Sequence, residues 1–201
     1  LLILLSFGVS LTLGSSFTLV TSLYLILTLS YSFKIKSYVG IDVISLASLY
    51  TIRIIAGSVI LNVNTSFWLL SFSMLVFLSL ALIKRCAELK ALQNTEYTKT
   101  KGRDYNVEDY TILISFGSAS AMMSILMFCF YINSNALTNQ YQHPTLLWLA
   151  VPAICYWLMR MWIKTHRGEM HDDPIVFSLK DKGSIVTIGF MGFITLLAQV
   201  L

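Results

Sequence analysis

The chain has 201 residues, of which 56% are hydrophobic and only 12% charged, with a net charge of +4. A soluble domain carries about 25% charged residues, and a mean hydropathy of +0.73 means more apolar surface than one core of this length can hide. These values exclude a water-soluble globule, give no indication of nucleic-acid binding, and point to an integral membrane protein with the lipid bilayer as its partner.

Spans of about 17 to 25 apolar residues read as membrane helices. Seven segments follow in chain order: Leu1–Leu13, cut short, then Phe17–Phe33, Ile41–Leu61, Phe67–Ile83, Tyr110–Ile132, Thr145–Ile163 and Ser184–Leu201. The first begins inside an apolar run, without Met, a basic flank or a cleavage site, so no signal peptide is read. The chain is expected to be N-terminally truncated.

The first, third and fifth breaks between segments hold no Lys, Arg, Asp or Glu. The other three, residues 34–40, 84–109 and 164–183, hold almost all of them. Helices that cross one after another place alternate loops on opposite sides, so the alternation checks the segment count. The positive-inside rule puts the charged loops in the cytoplasm. The expectation is a multi-pass protein of the cytoplasmic membrane with its chemistry on the cytoplasmic side.

Three charges fall inside apolar segments: Asp42, Arg53 and Arg160. Arg160 is one turn from a cytoplasmic end and can snorkel. Asp42 starts its helix and is read as facing that same surface. Arg53 lies deeper by about 16 Å, at about 1.5 Å per residue. A cation at that depth should face the bundle interior, towards a partner or an anionic ligand. Gly57, one turn on, would allow close helix packing.

The stretch "LALIKRCAELKAL" ends an apolar run on Lys84 and Arg85, with Glu88 one turn later. The helix is expected to leave the membrane and continue. Its charges read either as a snorkelling end with a surface ion pair, or as a mouth where two cations hold phosphate oxygens and Glu88 orients a cation or takes a proton. Thr98 to Arg103 reads as a polar turn, with Lys99, Lys101 and Arg103 solvated. Cys86 lies beside two cations, which alone is thin support for a reactive thiol. Cys129 and Cys155 read as packing residues.

"KTHRGEMHDDPIVFSLKDKG" crowds His166, Arg167, Glu169, His171, Asp172 and Asp173 together. Carboxylates and imidazoles could hold a divalent metal, with Asp172 as a candidate. Asp173-Pro174 also fits an N-cap followed by Pro at the first helical position. A short interfacial helix would then end at Gly183. Lys34 and Lys36 read as positive-inside residues, or as further phosphate contacts.

Four stretches, "YSFKIK", "DVISLASLYTIRIIAG", "SFWLLSFSMLVFLSLALIKRCAEL" and "HRGEMHDDPIVFSLKDK", resemble the UbiA-type membrane prenyltransferase superfamily. The resemblance covers most of the chain and is nearest the branch of decaprenyl-phosphate phosphoribosyltransferase. It implies an all-α UbiA-like bundle of nine transmembrane helices. Residues 1–201 would then be a membrane transferase domain lacking the first two, and the whole protein could carry an N-terminal soluble domain. It implies Mg²⁺ as cofactor, held mainly by an Asp-rich motif that this sequence lacks. Where a second Asp-rich motif is usual, Lys84-Arg85-Cys86-Ala87-Glu88 stands instead. Direct contact of cations with phosphate suits a diphosphate-bearing sugar donor and a polyprenyl phosphate lipid. The residues carried over are Lys84, Arg85 and Glu88 as catalytic, and Tyr31, Lys36, Asp42, Arg53 and Arg167 as substrate-binding.

The expected function is therefore phosphoribosyl transfer to a polyprenyl phosphate with diphosphate release. The alternative is prenyl transfer from a prenyl diphosphate to an aromatic or other acceptor. A transporter would need discontinuous helices and a polar midplane, for which Arg53 alone argues weakly. A purely structural membrane protein would not need Asp42 and Arg53 inside the bilayer.

Overall fold

A computed structural model describes residues 2–93, 102–134, 137, 141–170 and 173–200. The regular structure of those residues is all helical, with no strand: α1 (Leu2–Thr12), α2 (Ser15–Phe33), α3 (Ile41–Leu61), α4 (Phe67–Leu92), α5 (Tyr110–Ile132), α6 (Ala150–His166), α7 (Pro174–Lys180) and α8 (Lys182–Val200). Helices follow from the solvent. In lipid each backbone amide and carbonyl must be met within its own segment, and the many Ser and Thr residues fold back on carbonyls one turn earlier. Thr51 on Ala47, Ser73 on Leu69 and Thr165 on Met161 are examples.

Six helices among the described residues are long and apolar enough to cross a membrane: α2, α3, α4, α5 with its preceding turn, α6 with its preceding 3₁₀ turns, and α8. The first predicted segment is helical as α1, but its 11 residues are too short to meet that measure. The molecule is an all-helical membrane protein. Helix α4 does continue past the apolar run, to Leu92.

Helix α4 is the hub, packed most extensively on α5 and then on α3. Small and hydroxyl side chains let the backbones approach. Gly117 of α5 faces Trp162, and a Cβ there would lie 2.1 Å from the indole. The Trp162 indole N–H donates to Ser79 at 3.0 Å, and Ser79 donates to the Gly117 carbonyl at 3.0 Å. Hydrogen bonds of this kind between membrane helices contribute roughly 0.6 to 2 kcal/mol each. Helix α2 buries no residue, so much of its surface faces outward.

The two ends of the bundle differ in chemistry, as the loop alternation anticipates. Gly40, the 102–109 loop, the end of α4 and Asp173 meet at one end. At the other, residues 63–66 meet Tyr131 and Tyr141, and the His143 amide donates to the Ala198 carbonyl at 3.0 Å.

Two local expectations change. Gly183 is not a helix stop: α7 ends at Lys180, Asp181 is extended, and α8 begins at Lys182. Gly183 instead makes room for Arg160, whose Nε would lie 2.7 Å from a Cβ there. Gly57 does not mediate close packing, because a Cβ at that position would meet nothing within 4 Å.

Candidate functional site at the charged end

Asp42 stands in the first turn of α3, and Arg85 and Glu88 stand one turn apart on α4. Arg85 Nε lies 2.9 Å from Asp42 Oδ2, an ion pair whose N–H points off the ideal line. Its Nη1 donates to Glu88 Oε2. Asp42 is 0% and Arg85 1% exposed, so the pair has left water altogether. Removing two charges from water is costly unless geometry and further hydrogen bonds compensate. The further bonds come from Tyr105, whose hydroxyl donates to Asp42 Oδ1 at 2.5 Å and accepts from the Gly40 amide at 2.9 Å. Burial, followed by the bond to the Asp42 carboxylate, raises the Tyr105 phenol pKa, so it stays a donor. Arg103 reaches Glu88 at 3.4 Å and is not the purely solvated cation the sequence suggested.

Lys84 turns the other way, although it adjoins Arg85. Its ammonium contacts Asp173 Oδ2 at 2.6 Å, and both side chains are about one-third exposed, at 38% and 33%. Asp173 also caps α7, its Oδ1 accepting from the Ile175 amide at 3.1 Å, with Pro174 at the first helical position. The capping alternative is thus the one the fold adopts. Burial raises the Asp173 pKa, but Lys84, the Ile175 amide and Arg85 outweigh it, leaving the carboxyl below its ordinary value.

Beneath this pair lies a slot of about 40 Å³ lined by Leu46, Tyr50, Phe77, Leu80 and Ala81, with α7 over it. That is room for about three waters and no more. Tyr50 and Phe77 stack with centroids 5.0 Å apart. One turn from Tyr50, Arg53 sits exposed on α3 rather than enclosed in the bundle. Its Nη2 donates to the Tyr24 hydroxyl at 2.6 Å, and its guanidinium lies 4.9 Å from the Tyr50 ring centroid. Aromatic faces and a phenol take the place of a carboxylate partner. Such contacts offset about 2 kcal/mol when desolvated.

The remaining candidates stand apart. Tyr31 is half-buried on α2 and Lys36 is exposed. Arg167 is 63% exposed, with Glu169 at 3.9 Å. The structure thus gathers Asp42, Arg85 and Glu88 into one network, sets Lys84 beside it, and leaves Arg53 just past the middle of α3. Lys99, Lys101, His171 and Asp172 lie outside the described residues. Among the described residues no group of three or more His, Cys, Asp or Glu could hold a metal ion. Asp42, Glu88, Asp173 and Asp181 are each matched to a cation, so this donor set does not fit Mg²⁺.

Sequence reasoning missed Tyr105 and the pairing of Lys84 with Asp173. These contacts span 63 and 89 residues. The only prior signal was a Tyr set in an otherwise polar loop and a capping Asp left with a spare oxygen.

No protein-family model matches the chain. It is 42% identical over 179 residues to an uncharacterized protein, y4nM, of Sinorhizobium fredii, covering 88% of this chain and 34% of the relative. It is 27% identical over 178 residues to the nodulation protein NoeC of Azorhizobium caulinodans, covering 87% of this chain and 57% of the relative. The chain therefore spans about a third and somewhat over half of the lengths of these relatives.

Proposed function

We propose that the protein is a membrane-embedded transferase of the UbiA type that acts on a polyprenyl lipid with release of diphosphate. Phosphoribosyl transfer to a polyprenyl phosphate is the favoured reaction, with prenyl transfer to another acceptor as the alternative. The observation that carries the reading is the position of Lys84, a partly exposed cation over an apolar slot between α3 and α4. An anionic headgroup with a long hydrocarbon tail has that same division of chemistry. The quoted sequence stretches add the resemblance to the superfamily.

In the favoured reaction an oxygen of the lipid phosphate forms a bond to the anomeric carbon of the donor. The bond from that carbon to the diphosphate oxygen breaks, and the electron pair leaves with diphosphate. Lys84 offsets the negative charge on the phosphate oxygens. Arg85, buried and paired with Asp42, acts as a positioning residue that holds Glu88. At about 40 Å³ the slot is too small for a lipid chain, so substrate entry requires Asp173 to leave Lys84 and α7 to lift.

The test is diphosphate release by the whole protein, offered phosphoribosyl diphosphate with polyprenyl phosphate, and separately prenyl diphosphate with an aromatic acceptor. Turnover with the first pair is expected, and Lys84→Ala should lower it by about 10²- to 10³-fold, with partial recovery in Lys84→Arg. Unchanged turnover in Lys84→Ala removes the assignment. Turnover with the second pair alone moves the protein to prenyl transfer, and substrate flux without product would indicate a transporter.

A further inference from the structure

A second cavity lies at the other end of the bundle, and the described residues that line it carry no charge. It measures about 390 Å³, within the roughly 300–1,000 Å³ range of small-molecule sites. Its floor is α3, through Ile54, Gly57 and Leu61, and its far wall carries Tyr131 and Tyr141.

Three features fix what can bind there. The first is charge. Among the described residues no Asp, Glu, Lys, Arg or His lines the cavity, so an ionic ligand would lose its water with no described group to offset its charge. The second is the density of hydroxyl groups. Ser58, Thr65, Ser66 and the two phenols all reach the lining. Thr65 donates to Ser58 at 2.7 Å, and Ser58 donates in turn to the Ile55 carbonyl at 2.8 Å. That chain holds the hydroxyls in place while leaving lone pairs on Thr65. Neither phenol hydrogen-bonds to another described residue. The third is Gly57. It lies in mid-helix, where glycine costs about 0.5–1 kcal/mol relative to alanine. A Cβ there would meet nothing within 4 Å, so no packing contact requires glycine. What its missing side chain does provide is open space down to the α3 backbone.

We infer that this cavity is a second ligand site, distinct from the Lys84 end, for an uncharged amphiphile with an apolar body and hydroxyl or ester oxygens. Ile54, Leu61 and Leu69 take the apolar body, Tyr131 and Tyr141 donate to its oxygens, and Thr65, whose proton goes to Ser58, accepts from a ligand hydroxyl. The inference is independent of the transferase reading.

The test uses the whole protein in phosphatidylcholine nanodiscs and three photoreactive probes: monooleoylglycerol, octyl glucoside and oleate. The first two are neutral and distinguish a membrane lipid from a water-borne sugar as the source, and oleate is the charged control. Expected is saturable labelling by at least one neutral probe, mapped by mass spectrometry to residues 63–66, Tyr131 or Tyr141, with oleate not competing. Gly57→Leu should fill the floor and weaken that labelling by about tenfold or more. Tyr131→Phe, which keeps the ring, should weaken it to a lesser degree and serves if the leucine variant does not fold. Absence of saturable neutral labelling, equal competition by oleate, or labelling undiminished in both variants overturns the inference.

Discussion

The two ends of the bundle use the same helices for opposite purposes. At the charged end Asp42, Arg85, Glu88, Arg103 and Tyr105 tie α3, α4 and the 102–109 loop together, and the slot under the neighbouring Lys84–Asp173 pair holds about 40 Å³. At the charge-free end, hydroxyls, phenols and aliphatic groups surround about 390 Å³. Ionic groups in low dielectric must find partners at close range, so charge draws segments together and closes space. Most uncharged hydroxyls here are satisfied by a carbonyl one turn earlier on their own helix and place less demand on their neighbours. The cramped end is therefore the one where anything that enters must displace a contact, and the open end already has free space.

Breaking the buried pair gives the largest effect. Asp42→Ala leaves the Arg85 guanidinium, 1% exposed, without its fully buried carboxylate partner, and a loss of about 3–5 kcal/mol is expected. Thermal unfolding of the detergent-solubilised protein measures it; an unchanged midpoint would mean that this pair does not hold the charged end. A change at the open end should have the opposite sign. Gly57→Ala adds a methyl group that meets nothing within 4 Å, so a gain of about 0.5–1 kcal/mol is expected by the same assay; a loss would show that the open space is not there.

The smallest effect is a pH dependence. The Asp173 carboxyl lies below its ordinary value in the folded state. Its contribution is thus fully present above the unfolded value of about 3.9 and fades as pH falls through the lower folded one. Because Lys84 and Asp173 are 38% and 33% exposed, about 1 kcal/mol or less is at stake. Limited proteolysis around α7 should rise below about pH 4 in the native chain. Lys84→Ala should show raised cleavage already at neutral pH, and identical profiles in the two would remove the contact from the account.

Membrane character and the extents of the six long helices were legible because lipid imposes hydropathy on consecutive residues. The two-sided charge map was legible for a related reason, since alternate loops share an end. The site was less so. Lys84 and Arg85 are neighbours and read as one cationic pair, yet a helix turns by about 100° per residue, which sends Lys84 to α7 and Arg85 inward to Asp42. Asp42 read as a surface carboxylate because its partners, Arg85 and Tyr105, are distant in sequence. Arg53 read as an interior cation because charge rules anticipate a carboxylate, whereas Tyr24 and Tyr50 meet it with aromatic faces.

The order in which partners appear along the chain bears on how the protein is made. The partners of buried Arg85 are either already synthesised, in Asp42, or follow within one turn, in Glu88. Lys84 must wait for Asp173, 89 residues later, which at about 5–20 residues per second is roughly 4 to 18 seconds of translation. The cation that waits is the one water can serve meanwhile. During biogenesis the helix pair α3–α4 can insert electrically complete, while α7 docks as a late event on a half-finished bundle.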